Sequence, residues 1–130
     1  MTENSALSFT RTEDGREIQF LAQPVGADLV VIVSGGDTAH IGATALAQPR
    51  PSLAEPNRTS ASTSVLCVLG HKEELLAHHI AQTISAACNC VVSVSCGIHI
   101  DNATAAQIQT IQRLVEELLQ TFIRQRSIHG

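Results

Sequence analysis

Three histidines, His40, His71 and His99, occupy the positions in this sequence where side-chain chemistry is most readily presented. His40 follows the Ser34-Gly35-Gly36 stretch that closes an apolar run. His71 lies in Gly70-His71-Lys72-Glu73, ahead of a helical pattern, and His99 stands two residues before Asp101 at the end of an alternating strand. Each falls at a strand exit or a helix entrance, where folds built on sheets commonly carry their binding groups. Neutral imidazoles ligate divalent transition metals. Three of them with a carboxylate from Glu73, Glu74 or Asp101 would make a reasonable coordination shell, so His40, His71 and His99 are candidate metal ligands. No HxH or HExxH spacing adds support for a metal.

Two other features suit an anion. A helix beginning at Gly70-His71-Lys72 offers backbone N–H groups, the positive end of a dipole and a lysine. Ser34-Gly35-Gly36 offers close backbone approach, as glycine permits. Together with His40, His99 and Asp101 these residues form the candidate binding set. The chain has no GxSxG nucleophile motif and no paired carboxylates spaced for acid–base work, so nothing in these residues calls for an enzyme, though an enzyme is not excluded. The remaining histidines read as surface residues. His78 and His79 lie off the apolar stripe of their helix, and His129 is in the terminal segment.

The elements that must position these groups follow from periodicity. Leu7–Arg11 and Glu17–Gln23 read as strands joined at Glu13-Asp14-Gly15, and Leu29–Val33, apolar on both faces, reads as a central strand. Ile41–Ala47 is a further strand, rich enough in alanine to be an uncovered edge through which copies could pair into a homo-oligomer. Residues 48–62 hold Pro49, Pro51 and Pro56 and read as a long mobile loop, able to close as a lid and bring Arg50 or Arg58 towards a phosphate. Thr63–Leu69 returns as a strand. A helix over residues 70–87 carries Leu76, Ile80, Ile84 and Ala87 on one face. Cys90–Ile98 is a strand. A last helix over 105–124, opened by the capping-box pair Thr104 and Gln107, buries Ile108, Ile111, Val115, Leu118 and Phe122. Strands gathered early and helices late predict a single α+β domain, with a mainly antiparallel sheet and two amphipathic helices packed on one face.

Composition narrows the classes. A chain of 130 residues, 44% apolar, can bury one ordinary core. That core is aliphatic, with three Phe and neither Trp nor Tyr, so a flat ligand would rest on aliphatic, Cys, Phe or His surface. A net charge of −4 with eight Lys and Arg leaves no basic stripe for a nucleic acid. No apolar run is long enough to span a bilayer, and the polar N-terminus is unlike a signal peptide, so a cytoplasmic protein is expected. Cys67, Cys88, Cys90 and Cys96 then read as buried thiols rather than disulfides or zinc ligands.

Taken in order, Gly35-Gly36 with His40-Ile41-Gly42, then Gly70-His71-Lys72-Glu73, then Gly97-Ile98-His99-Ile100-Asp101-Asn102, resemble the motif series of the LpdD-like family over about residues 27–123. The family is associated with the non-oxidative hydroxyarylic acid decarboxylases, as one of their small accessory components. The resemblance implies a non-catalytic chaperone for reduced prenylated flavin mononucleotide (FMN). Such a protein would take the cofactor after the flavin prenyltransferase step and deliver it to a UbiD-type decarboxylase. It maps the family's three histidine motifs onto His40, His71 and His99, and a divalent ion bridging the flavin phosphate is compatible with it. Two alternatives stand beside this: a permanent small subunit of the decarboxylase, and a metal-dependent enzyme using the three histidines.

Overall fold

The computed structural model describes residues 5–68 and 73–129. Six strands form one sheet: β1 (Leu7–Glu13), β2 (Arg16–Val25), β3 (Asp28–Gly36), β4 (Thr38–Pro51), β5 (Thr59–Cys67) and β6 (Val92–His99). Two helices, α1 (Glu74–Cys88) and α2 (Ala105–His129), complete the domain. The spatial order is β1-β2-β3-β6-β4-β5, and every pairing is antiparallel except β3 with β6. Because β5 and β6 are each antiparallel to β4, the β5–α1–β6 connection carries the chain over β4 and inserts β6 into the middle of the sheet. This is the α+β architecture expected, with a single domain and both helices on one face.

Alternation explains which face the helices cover. Ile18, Phe20 and Ala22 on β2, Val31 and Val33 on β3, and Val92, Val94 and Cys96 on β6 point to one side and are fully or almost fully buried. Ala43, Ala45 and Ala47 continue that side across β4. Small side chains there let α1 lie close, with Ala77, Ile80, Ala81 and Ile84 turned inward. Across the other half, Phe122 of α2 meets Phe20 with ring centroids 5.3 Å apart. α2 opens as anticipated: the Thr104 N–H donates to Gln107 Oε1 (2.8 Å) and the Gln107 N–H to Thr104 Oγ1 (3.1 Å). No helix among the described residues is long and apolar enough to cross a membrane.

The structure corrects several sequence expectations. Residues 48–62 are not one loop. β4 runs to Pro51 and β5 starts at Thr59, with Pro49 opposite Ala61 and Pro51 opposite Thr59. β6 pairs with β4 only as far as Ala47, so beyond it one edge of β4 is open and the missing proline N–H groups interrupt no second ladder. The connection that remains, 52–58, lies at the far end of β4 from His40, roughly 35 Å away by strand rise. It is no lid over that residue. Arg50 and Arg58 are engaged locally, Arg50 with Ser62 Oγ (2.9 Å) and Arg58 with Glu55 (3.4 Å). Nor is Ile41–Ala47 an edge, since it lies between β6 and β5, and the true edges are β1 and β5. Cys67 is exposed, whereas Cys90 and Cys96 are buried. Burial pushes the Cys90 thiol up to about 11 and the Cys96 thiol to about 12, as small core hydrophobes require.

Candidate functional site

The strand ends beside β6 are shaped by a bulge. In β4, Ala39 pairs with Ile98 and Ala43 with Cys96, so four steps of β4 face two steps of β6. The two extra residues preserve the inward side for Ala43 and lift His40 out of the ladder. Two glycines make the bulge fit. A Cβ on Gly97 would run into the His40 carbonyl, and a Cβ on Gly42 would run into the Glu73 carboxylate. Glu73, immediately before α1, thereby reaches His40, and Nε2 lies 3.1 Å from Oε1 with both side chains less than one-fifth exposed.

His99 completes the group from the end of β6. Its ring lies edge-on to His40 with centroids 6.2 Å apart, and its Nε2 is 3.0 Å from Asp101 Oδ1. Asp101 is fixed in turn: its N–H donates to Asp37 Oδ2 (2.9 Å), while Arg16 Nε donates to Asp37 Oδ1 (3.0 Å). Those two hydrogen bonds hold the Asp37 carboxyl below the usual carboxylate range. Arg16 on β2, Asp37 between β3 and β4, and Asp101 after β6 thus form one polar chain leading to the two imidazoles. Sequence reasoning misses Arg16 and Asp37. Neither carries a local signal, because only the pairing of β3 with β6 brings them to Asp101.

Against this polar group lies an apolar cavity of about 270 Å³. Leu76 of α1, Ile98 and Ile100 at the end of β6, and Ile108 and Ile111 of α2 form its walls, while Glu73 and Gln112 supply its polar atoms. The cavity explains why Ile108 is 49% exposed although the helical stripe places it in the core. The volume is near the lower end of small-molecule pockets, which begin at about 300 Å³, and suits a ring system better than a whole nucleotide. Its lining is aliphatic.

The other candidate residues divide. Ser34, Gly35 and Gly36 belong to β3 and lie opposite Gly97, Ile98 and His99. The close approach that Gly35 and Gly36 permit is to the carbonyls of Glu17 and His99, where a Cβ would collide. Gly70, His71 and Lys72 lie outside the described residues. His79 is exposed and pairs with Glu116 of α2 at 2.9 Å, while His78 is half-buried. Among the described residues no group of three or more His, Cys, Asp or Glu is arranged to hold a metal.

The family described as "Prenylated flavin chaperone LpdD-like domain" matches residues 12–127. The chain belongs to this family. Among curated relatives, Protein LpdD of Lactiplantibacillus plantarum is 26% identical over 125 residues, spanning 94% of this chain and 86% of that protein. A solved structure, from a chaperone complex for yeast 20S proteasome assembly, superposes with a TM-score of 0.56. The match covers 93% of this chain and 97% of that one at 12% identity, and shows a shared fold. For this LpdD-like chain, the bulge, the histidine pair and the cavity are the features that a chaperone-family role can be built on.

Proposed function

We propose that this protein binds reduced prenylated FMN through the cavity beside His40 and Glu73 and delivers it to a UbiD-type aryl acid decarboxylase, itself catalysing nothing. The observation that carries the reading is the cavity: an aliphatic, ring-sized space bordered by polar groups, in a chain of the prenylated flavin chaperone family. Burying a fused ring system against Leu76, Ile98, Ile100 and Ile111 would remove apolar surface from water at roughly 25 cal/mol per Å². Glu73 and Gln112 can exchange hydrogen bonds with the polar edge of such a ring. No Trp or Tyr is available to stack on it, which suits a protein that must release its cargo.

The phosphate needs a separate answer. Asp37, Asp101 and Glu73 outnumber Arg16 in the polar chain, so that chain repels an anion unless a cation intervenes. We assign the phosphate to the 70–72 segment, where His71 and Lys72 are chemically suited to it. A divalent ion shared by His40, His71 and His99 would add a bridge.

An anaerobic spectral titration with reduced prenylated FMN tests this, run with and without chelator. The wild type is expected to bind and to restore activity to apo-decarboxylase. Ala103→Phe, which fills the cavity from an exposed position, and His40→Ala should each weaken binding about tenfold or more. Binding unchanged in both variants overturns the placement, and no binding by the wild type overturns the function. Loss of binding in chelator, restored by a divalent ion, identifies the bridge.

A further inference from the structure

The face of the sheet opposite the helices carries a pattern unlike an ordinary wet surface. In register across the sheet, one row reads Leu21, Ile32, Ser95, Thr44 and Leu66. The row beside it reads Gln23, Val30, Ser93, Leu46 and Ser64. None of these ten positions holds a charge, in a chain where Asp, Glu, Lys and Arg make up 15% of residues. The charged groups on this face stand at its margins, Glu17, Asp28 and Arg50. Four aliphatic side chains on it are left in solvent: Val30 (38% exposed), Ile32 (42%) and Leu46 (54%) towards its centre, and Leu66 (80%) on the edge strand β5. Both helices pack on the opposite side, so among the described residues nothing covers them.

We infer that this face is a homodimer interface, in which the sheets of two copies pack face to face. Three observations select a second copy of this chain as the occupant. First, the area fits. Six strands about 4.8 Å apart, over some seven residues at about 3.4 Å rise, span roughly 600 Å² before side-chain relief, close to the ~800 Å² per partner of a standard stable interface. Second, the charge fits. A chain at −4 repels its own copy over most of its surface, and an uncharged face is where two copies meet without that cost. A partner of opposite charge would be read by charged side chains, and the centre of the face has none. Third, Thr44 Oγ1 and Ser95 Oγ at its centre are already paired with each other at 3.1 Å, so covering that pair strands neither hydroxyl. Aliphatic rows flanking a strip of small hydroxyls can interdigitate about a twofold axis at the ~10 Å spacing of stacked sheets. The cavity and the histidine pair stay open, because they lie on the helix side and at the strand ends.

Sedimentation velocity and light scattering on the full chain at micromolar concentration decide it. The expected mass is twice 13.8 kDa. Ile32→Lys and Leu46→Lys, each placing a charge on a solvent-facing position, should weaken self-association at least ~10-fold while circular dichroism stays that of the wild type. A wild-type mass of 13.8 kDa overturns the inference. So does a dimer that survives both lysine variants, since pairing would then run through the edges β1 or β5. Flavin binding is read in a separate measurement, so either proposal can fail without the other.

Discussion

Room is as much a part of the site as its side chains. Gly42 and Gly97 both make space at the β4 bulge, but what occupies the space differs. A methyl on Gly97 meets the His40 carbonyl, a backbone group that moves only if the bulge itself shifts. A methyl on Gly42 meets the end of the Glu73 side chain, which can swing away. Gly97→Ala should therefore cost about 1–3 kcal/mol of stability in chemical denaturation, as overpacking does, and Gly42→Ala much less. The signature of Gly42→Ala belongs instead to His40, whose ring resonances should shift as the 3.1 Å contact with Glu73 is lost. Equal costs for the two alanines would mean that the bulge is not held as described. In the sequence, both glycines are visible inside candidate motifs, but what they make room for is not. The contact His40–Glu73 joins residues more than thirty apart, and no spacing rule reaches that far. His99 with Asp101 is legible because the two are neighbours in the chain.

Elements are legible where one periodicity runs uninterrupted. The alternation of β2 and β6 marks those strands nearly at their true bounds, and the stripe of α1 marks its body and C-terminal end, because burial on one face leaves a regular pattern. The helix starts, however, at Glu74 rather than Gly70. The long β4–β5 hairpin escapes sequence reasoning, since Pro49 and Pro51 normally argue against a strand and only the open edge beyond Ala47 accommodates them. The stripe of α2 is plain in the sequence, yet its first turns hide the site. Ile108 extends beyond the end of the core, and with Ile111, which packs against the core's edge, it becomes cavity wall. That places unusual weight on the Thr104–Gln107 capping box, which anchors the turn carrying Ile108. Thr104→Ala should lower unfolding stability by about 1 kcal/mol. Hydrogen exchange should quicken at the N-terminal turns of α2 and stay slow around Leu118–Phe122, whose inward side chains are fully buried. Uniform quickening along the helix would show that the cap does not act locally.

At the scale of the molecule, the cavity is assembled from parts distant in the chain: the start of α1, the end of β6 and the first turns of α2. The polar chain beside it adds β2 through Arg16 and the β3–β4 connection through Asp37. A ligand seated there touches α1, the end of β6 and α2 at once, and unfolding any of them destroys the site. Binding must then stabilise the whole fold rather than one segment, by RT ln(1 + [L]/Kd), or about 2.7 kcal/mol at a hundredfold excess over Kd. For a domain of this size that corresponds to a rise of roughly 10 °C in the unfolding midpoint. Reduced prenylated FMN, added anaerobically, should produce such a shift as a single displaced transition. Ala103→Phe should unfold near the wild-type midpoint without ligand, because residue 103 is exposed, and should gain little when ligand is added. A full shift in Ala103→Phe would place the cofactor elsewhere on the protein. A shift confined to one part of a split transition would show that the site does not couple the two helices to β6.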